Sequence, residues 1–515
     1  MRKKKWAGLI TVGAATVACL LAAQPMAAGA VTSTTMTFDP NDLLHYKPAD
    51  GYVGDVHPYY ENGTHYLFSL TTDGNFAPEL ATSTDLVNWS ETGLTHTGAA
   101  PAQSYYSLGI VKDGSTYRSW YGNGTEMKSS QSSNLTSWSN ASTSYDIPNN
   151  TTLFPAGARD PYVFWDPDVS KYRMVSTAYR TNQNWGIGTG MDVSIALTTS
   201  TSSSPNSWGV QEELIRYPNT GVPAANGIEP EVAQFFKIGD RWYLMTSFAR
   251  QSIHFVGRAT YFIGDAGASI DDVDWASKTP HYIDGEDIAA AQVYKAGTRT
   301  LFLGWIPQNA TGDNWGGHLS LPREITNLTD GTLSVKLATD VGSDIRGTEL
   351  WPGSSTAAIT GQNSGWTVSG TTASFSGTAF ATAAVPASTT STDFRFTVNM
   401  AATTDRAGLL IAESQAGPYG IEVTLDKQNS LLRLRSDRTG SGGWQEYATT
   451  PVRAGDLSGN VQVRVITEGD MIELFVGDRY SLAARVPFDL EGGNIRLLTT
   501  GDATFTNVGA FELNR

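Results

Sequence analysis

Residues 227–244 read GIEPEVAQFFKIGDRWYL. Two carboxylates, Glu229 and Glu231, precede an apolar run, and a Gly-Asp turn leads from it into a second apolar run. Two apolar runs joined by a short turn that contains glycine are typical of a β-hairpin. An acid followed by a hairpin also occurs at Asp55 and at Asp160. The stretch therefore predicts a repeated β unit, and an acid leads three of its copies.

The second strand of this hairpin recurs five times between residues 51 and 345, at intervals of about 51 to 70 residues. Its copies are residues 65–70, 116–121, 171–176, 241–246 and 299–304. This interval is long enough for a four-stranded sheet in each copy, and no segment with a period of 3.6 residues interrupts the region. Repeated sheets without helices predict an all-β fold, a five-bladed β-propeller.

Several copies are followed by a second element, in which Ser, Thr, Asp or Asn precedes an apolar residue and a tryptophan. It occurs at residues 83–89, 132–138 and 269–275, and in reduced form at 205–208. Small polar residues in this arrangement are typical of turns. We expect the tryptophans Trp89, Trp138 and Trp275 to cover outer strands and not to bind sugar.

The composition changes around residues 346–370, where Gly, Ser, Thr and Ala dominate and no further copy of the repeat is found. Beyond it, strand-like runs with a period of two follow one another to the end of the chain, which is typical of an antiparallel β-sandwich. A chain of 515 residues is also too long for one ordinary core. The predicted division is a signal peptide at 1–30, the propeller at 31–345, and a linker with a β-sandwich at 346–515.

The N-terminus has the three parts of a secretory signal: basic residues at 2–5, an apolar run at 9–23 and Ala-Gly-Ala at 28–30. Removing residues 1–30 would leave 31 basic and 50 acidic residues, a net charge of -19. Such an acidic chain repels phosphate backbones, which argues against binding nucleic acid. We therefore predict a secreted protein that does not associate with membranes after signal cleavage. The lone cysteine, Cys19, lies in the apolar run and leaves no partner for a disulfide.

The three leading acids have nearly the same register in the repeat. Asp55 and Glu231 lie eleven residues before the first aromatic residue of the next strand, and Asp160 lies twelve before it. Because the inner strands of a propeller run side by side, we expect these carboxylates to converge at one structural position. Converging carboxylates shift one another's pKa values, which suits a glycosidase that needs one nucleophile and one proton donor. The alternative is that the acids are ordinary turn and cap residues.

An ordered set of motifs resembles the family-32 glycoside hydrolases, the invertases, inulinases, levanases and levan fructotransferases. The matching segments are residues 54–59, Arg159-Asp160-Pro161, Glu231 with 236–244, 304–305, 315–317, 319–324 and 472–476. The resemblance implies that Asp55 is the nucleophile, Glu231 the general acid/base and Asp160 the stabiliser of the transition state. Arg159, Glu229, Gln234, Trp185 and Trp315 are predicted to bind substrate.

The sequence departs from the family pattern at two places. Val56 and His57 separate Asp55 from the following proline, and Gln234 stands where the family has an acid that helps to bind sugar. The spacing of Glu229, Glu231 and the alanine that follows instead resembles levansucrases. Glu229 is thus the rival of Glu231 as the acid/base, and the register favours Glu231.

The resemblance implies a retaining glycosidase that cleaves β-fructosidic bonds of a fructan, with levan favoured and inulin next. The fructosyl group would pass to water or, as in levan fructotransferases, to a hydroxyl of the substrate itself. No cofactor is expected, and the scattered histidines predict no metal site. Two alternatives stay open: a propeller glycosidase acting on polymers of arabinose or xylose, and a sugar-binding protein without activity.

Overall fold

The computed structural model describes residues 44–71, 78–97, 107–123, 126–180, 192–218, 228–250, 257–310, 315–353, 357–389, 391–411, 420–437, 444–487, 489–490 and 492–514. The predicted signal peptide lies outside these residues. The described chain is all-β, as predicted, with one short α-helix among its strands. Within the described residues, no helix has the length and apolar character needed to cross a membrane.

The first part of the chain is a series of short strands joined by tight turns. In chain order they are β1 (Val53–Glu61), β2 (Thr64–Thr71), β3 (Pro78–Ser83), β4 (Ser90–Glu91), β5 (Thr95–Thr97), β6 (Ser107–Asp113), β7 (Thr116–Asn123), β8 (Glu126–Ser132), β9 (Ser137–Asn140), β10 (Ile147–Pro148), β11 (Ala158–Asp166), β12 (Lys171–Tyr179), β13 (Asp192–Thr199), β14 (Glu212–Pro218), β15 (Ile228–Ile238), β16 (Arg241–Arg250), β17 (Gly257–Ile263), β18 (His281–Tyr282), β19 (Ala289–Ala296), β20 (Arg299–Pro307), β21 (Gly317–Leu319), β22 (Arg323–Asn327) and β23 (Leu333–Leu337). Short 3-10 turns lie at Thr143–Tyr145, Ile270–Asp272 and Trp275–Ser277.

These strands pair as antiparallel meanders. The described meanders are β1-β2-β3-β4, β6-β7-β8-β9, β11-β12-β13-β14, β15-β16-β17-β18 and β19-β20-β22-β23. Their first strands contact one another in a closed order, β1 with β6, β6 with β11, β11 with β15, β15 with β19, and β19 with β1. The five strands expected from the repeat are β2, β7, β12, β16 and β20, so that prediction is confirmed. The closed order brings the starts of β1, β11 and β15, which carry the three acids, to one end of the assembly.

The turns that precede the tryptophans are held by small polar side chains, as the sequence indicated. Ser83 Oγ accepts from the backbone N–H of Leu86, which has a φ of 66°, and Ser132 Oγ accepts in the same way from Leu135. The indole of Trp138 donates to the carbonyl of Leu135 and is buried. The element is therefore a capped turn whose tryptophan closes the side of a sheet.

The second part of the chain begins with a helix, α1 (Thr339–Asp344), and consists of two packed sheets. Its strands are β24 (Arg346–Trp351), β25 (Thr360–Gly361), β26 (Trp366–Ser369), β27 (Thr372–Phe375), β28 (Ala381–Thr389), β29 (Thr392–Met400), β30 (Arg406–Ile411), β31 (Ile421–Asp426), β32 (Leu431–Asp437), β33 (Trp444–Pro451), β34 (Asn460–Glu468), β35 (Met471–Val476), β36 (Tyr480–Arg485), β37 (Gly493–Thr499) and β38 (Ala503–Leu513). One sheet has the order β26-β27-β38-β29-β34-β35-β36 with β24 beside β38, and the other has the order β25-β28-β37-β30-β31-β32-β33. A shared apolar core that includes Phe394, Leu409 and Phe505 lies between them.

The chain after residue 346, which was expected to begin with a linker, begins with a strand. Arg346–Trp351 is a strand that pairs with β38, so this stretch already belongs to a sheet of the second part. The strand reads RGTELW and lacks a clear alternation of apolar and polar residues. Its pairing is set instead by a partner more than 150 residues away in sequence.

A buried cluster of charged side chains joins the two parts. The His45 ring lies 2.6 Å from Glu468 Oε2 and 2.9 Å from Glu473 Oε1. Arg323 lies 2.6 Å from Glu473 and 3.1 Å from Asp284, and every side chain of the cluster is at most 2% exposed. Removing one member would leave an uncompensated buried charge, which costs about 3–5 kcal/mol.

The pH dependence of stability tests this junction through His45. Burial acts to lower the pKa of His45, but hydrogen bonds and charges from Glu468 and Glu473 outweigh it and raise the pKa to about 9. Because the folded-state pKa lies above the unfolded value of 6.5, the contribution is complete below pH 6.5 and is lost as pH rises through about 9. We expect wild type to lose about 3 kcal/mol more than His45→Gln between pH 6 and pH 10. Urea unfolding at both pH values measures this, and equal losses in the two proteins would contradict it.

Candidate active site

A β-bulge of the same kind interrupts the first strand of each described meander. Two residues face one on the partner strand at 54–55, 108–109, 160–161, 232–233 and 290–291. Asp160 and Val232 have positive φ angles, 53° and 48°, in these bulges. Such a conformation is costly for a β-branched residue such as Val232, and strained backbone of this kind clusters at functional sites. The bulges re-aim the side chains at the end where the acids lie.

The three acids occupy three successive positions in and just before this bulge. The prediction that they share one structural position was therefore wrong. Glu231 precedes its bulge, Asp160 is the first bulge residue and Asp55 is the second. The aromatic residue used for the count is the third residue of β2 but the second of β12 and β16, and the intervening turns differ in length. Counting residues along the sequence therefore could not separate differences in turn length from differences in strand position.

Arg159 binds two of the acids at once. Its Nη1 donates to Asp160 Oδ2 at 2.8 Å, its Nη2 donates to Glu231 Oε1, and its Nε donates to the hydroxyl of Tyr179 at 2.5 Å. The Asp160 side chain is 1% exposed, whereas the Glu231 side chain is 30% exposed. The guanidinium group thus fixes a buried carboxylate and an accessible one side by side.

Asp160 is further enclosed by backbone and hydroxyl groups. The N–H of Val232 and the hydroxyl of Thr177 both lie 3.5 Å from its Oδ2, and this hydroxyl also donates to the carbonyl of Pro230 at 2.8 Å. The start of β15 is therefore held against Asp160. This arrangement ties the position of Glu231 to that of Asp160.

Asp55 belongs to the same electrostatic cluster. Burial, and after it the negative charge of Asp160, raise the pKa of Asp55 from 3.8 to about 7, although Arg159 acts in the opposite direction. The residue is 8% exposed. A carboxylate whose pKa is raised in this way is characteristic of active sites.

Two tryptophans form a wall beside Asp55. The Trp315 ring lies against Gly54, where a Cβ atom would come within 1.9 Å of it, so a glycine is required at that position. The Trp305 ring is buried and meets Trp315 edge-on at 6.2 Å. Hydrogen bonding from the Trp305 indole lowers the pKa of Asp55, although among the described residues no acceptor of its Nε1 has regular geometry. The structure places Trp315 next to the nucleophile candidate, and its role in substrate binding stays a prediction.

Sequence reasoning did not single out Trp305 as a site residue. Residues 304–305 were recognised only as part of a motif. The pairing of Trp305 with Ala289, directly before the fifth bulge, was the signal that could have revealed it. The sequence alone does not show this pairing, because it depends on the register between β19 and β20.

The side chain of Gln234, predicted to bind substrate, is buried and bonds the backbone of the neighbouring strand. It is 1% exposed, its Nε2 donates to the carbonyl of Val293 at 2.5 Å, and its Oε1 accepts from the N–H of Val293 at 2.7 Å. Gln292 reciprocates by donating to the carbonyl of Val232 at 3.1 Å. The two amides join β15 to β19 because side chains directly after each bulge face the neighbouring first strand. The glutamine at position 234 therefore has a structural explanation.

Replacing Gln234 by leucine tests this explanation. The N–H and carbonyl of Val293 would lose their partners while buried, so we expect a loss of at least about 2 kcal/mol in the free energy of unfolding. KM should change less than about threefold, since the amide does not face the acids. Urea unfolding and steady-state kinetics measure both, with Gln131→Leu as a control at a partly exposed amide that has a longer, 3.3 Å bond. Unchanged stability with a KM raised tenfold would instead support substrate binding.

Two predicted substrate-binding residues are not tested by the structure. Trp185 lies outside the described residues. The backbone of Glu229 in β15 pairs with that of Ala249 in β16, but the Glu229 side chain also lies outside the described residues. No group of three or more His, Cys, Asp or Glu side chains within the described ranges is arranged to hold a metal ion.

Comparison with known families gives two matches that together span most of the chain. Residues 45–336 match the glycosyl hydrolases family 32 N-terminal domain, and residues 356–512 match the glycosyl hydrolases family 32 C-terminal domain. The search of curated proteins found no match.

Several solved structures are similar over almost their whole length. The exo-inulinase from Aspergillus awamori has a TM-score of 0.64 at 17% identity and covers 92% of this chain and 98% of its own. A β-fructofuranosidase from Bombyx mori in complex with sucrose has a TM-score of 0.61 at 14% identity, with 92% and 93% covered. A fructosyltransferase from A. japonicus has a TM-score of 0.64 at 13% identity, with 92% and 96% covered. At these identities the similarity establishes the fold alone.

Proposed function

The chain belongs to glycosyl hydrolase family 32, and we propose that it cleaves β-fructosidic bonds of a fructan through a covalent fructosyl-enzyme. The observation that carries this proposal is the Arg159 guanidinium group, which holds Asp160 and Glu231 together beside the buried Asp55. Two carboxylates in distinct environments are what glycoside cleavage requires. Family membership also favours β-fructosides over polymers of arabinose or xylose.

Each acid has an environment suited to one role. Asp55, buried against the tryptophan wall, attacks the anomeric carbon as the carboxylate and forms the new C–O bond. Glu231, which is more exposed, protonates the leaving oxygen as the glycosidic bond breaks, and then takes a proton from the acceptor that releases the fructosyl group from Asp55. Asp160, fixed by Arg159, accepts hydrogen bonds from hydroxyls of the fructosyl unit.

The architecture proposed for this activity is a five-bladed propeller followed by a sandwich. The five meanders with first strands in closed contact support five blades, with the catalytic domain at residues 31–345 and the sandwich domain after it. The basic, apolar and small residues at 1–30 support export from the cell. An exported enzyme meets polymeric substrates, so a fructan is a better candidate than a small cytosolic sugar.

Levan is the favoured substrate and inulin the next, and two acceptors are candidates. Among proteins of similar fold are an exo-inulinase and a fructosyltransferase. Water as acceptor would release fructose. A hydroxyl of the bound substrate would instead give a difructose anhydride, the product of a levan fructotransferase.

Product analysis tests the proposal. Purified protein is incubated separately with levan, inulin, sucrose and arabinan, and the products are separated by chromatography. Free fructose identifies hydrolysis, and a non-reducing cyclic disaccharide identifies intramolecular transfer. Cleavage of arabinan alone, or of none of the four, would overturn the proposal.

A further inference from the structure

A cavity of about 680 Å³ lies in the second part of the chain, beside the end of β23 and apart from the acids. One side consists of the end of β23, helix α1 and the start of β24. The other side consists of β29, β34 and β35 from the sandwich sheet. A ligand that reaches Lys336, at the end of β23, would contact both parts.

Four cationic side chains line the cavity. They are Lys336, Arg346, Arg395 and Arg464. Three carboxylates oppose them, Asp478 in the lining, Asp393 beneath it and Glu324 across the β22–β23 pair from Lys336, so the local charge is positive by one. The whole chain carries a net charge of -15, which makes this a local reversal of sign. A positive cavity on an acidic protein concentrates anions.

Asp393 orients two of the guanidinium groups. It is fully buried and accepts from Nε and Nη2 of Arg395 at 3.0 and 2.6 Å, and from Nε and Nη2 of Arg464 at 2.8 and 2.9 Å. Both Arg side chains are thus fixed before any ligand arrives, and neither uses its Nη1 on Asp393. Since Asp393 takes the Nε–Nη2 edge of each guanidinium, an oxyanion would accept charge-assisted hydrogen bonds from the Nη1 groups.

The remaining two cations are not needed to balance Asp393. Arg346 reaches only to 3.9 Å from Asp393 Oδ2 and lies over the ring of Phe511. Lys336 forms no ion pair with any described residue. Arg395 and Arg464 already saturate the Asp393 carboxylate, so Arg346 and Lys336 are not committed to it.

We propose that this cavity binds a multiply charged oxyanion of the phosphate or sulfate type, either free or as an ester on a polysaccharide. A fructan is uncharged and has no need of such a cluster, so the site is independent of the proposed catalytic activity. Because Lys336 comes from the first part of the chain and Arg346, Arg395 and Arg464 come from the second, an anion bound by all four would stabilise the junction at β23.

The test uses the full chain and a double variant, Lys336→Gln with Arg346→Gln. These positions spare Arg395 and Arg464, whose loss would leave Asp393 buried and unpaired. The control is Lys171→Gln with Arg216→Gln, which removes the same charge from β12 and β14, outside the cavity. Binding of inorganic phosphate and sulfate is measured by calorimetry at constant ionic strength, and the melting temperature is recorded with each anion and with chloride.

We expect saturable binding of phosphate or sulfate by wild type and control, with a raised melting temperature. The double variant should bind at least about tenfold more weakly, because two charge-assisted contacts are lost. Dextran sulfate that binds more tightly than sulfate, with plain dextran inert, would identify an ester on a polymer as the source. Equal affinity in the double variant, or no saturable binding by wild type, would overturn the proposal whatever the activity on fructans.

Discussion

Asp55→Asn is expected to lower kcat on a fructan at least about 10⁴-fold, the scale seen when a residue of a catalytic unit is removed. Asparagine keeps the size of the side chain but cannot form the covalent fructosyl-enzyme. Initial rates at high enzyme concentration measure the residual activity. A variant with turnover near wild type would refute the role of Asp55 as nucleophile.

The same substitution should stabilise the protein, and this separates loss of chemistry from loss of fold. The folded-state pKa of Asp55, about 7, lies above its ordinary value of 3.8, because burial disfavours the charged form. Ionised Asp55 therefore costs stability, by an amount that grows from pH 3.8 to about 7 and reaches at most about 4 kcal/mol above that. Urea unfolding should show Asp55→Asn more stable than wild type at pH 8 and equal to it near pH 4.

The control for this measurement is Asp240→Asn, at an exposed hairpin turn. It should change stability little at either pH, since surface substitutions usually stay within about 0.5 kcal/mol. If Asp55→Asn gained no stability between pH 4 and pH 8, then the carboxylate would not be desolvated as described.

The fold was largely predictable because its signals are local. Hairpins at Gly239 and Gly63, and apolar strands after them, are encoded within about ten residues of sequence. The capped turns at Ser83 and Ser132 are likewise set by neighbouring side chains. Repetition of local signals is what allowed the five repeated strands to be predicted without an alignment.

The features that the sequence did not reveal depend on contacts between distant strands. The bulge register of Asp160, the pairing of Gln234 with Val293 and the position of Trp305 are all set by neighbouring strands. Strand β24 was mistaken for a linker for the same reason, since its partner lies at the end of the chain. Side-chain identity thus identified the candidate acids, whereas their orientation needed tertiary structure.

Glu231→Gln is expected to lower kcat/KM on a fructan about 10²- to 10⁴-fold, the usual contribution of a general acid or base. Glutamine can still accept the hydrogen bond from Arg159, and the side chain is partly exposed, so stability should change by less than about 1 kcal/mol. A fructosyl derivative with a more acidic leaving group should lose less activity, because its departure needs little protonation. Steady-state rates on both substrates measure this difference.

Glu229→Gln is the matched comparison, since it makes the same change two positions away in β15. Glu231 lies directly before the bulge and is held by Arg159, whereas Glu229 lies two positions farther from it. We therefore expect Glu229→Gln to lower kcat/KM less than about tenfold, with the same loss on both substrates. If instead Glu229→Gln had the larger effect, and only on the substrate with the poorer leaving group, the general acid/base would be Glu229.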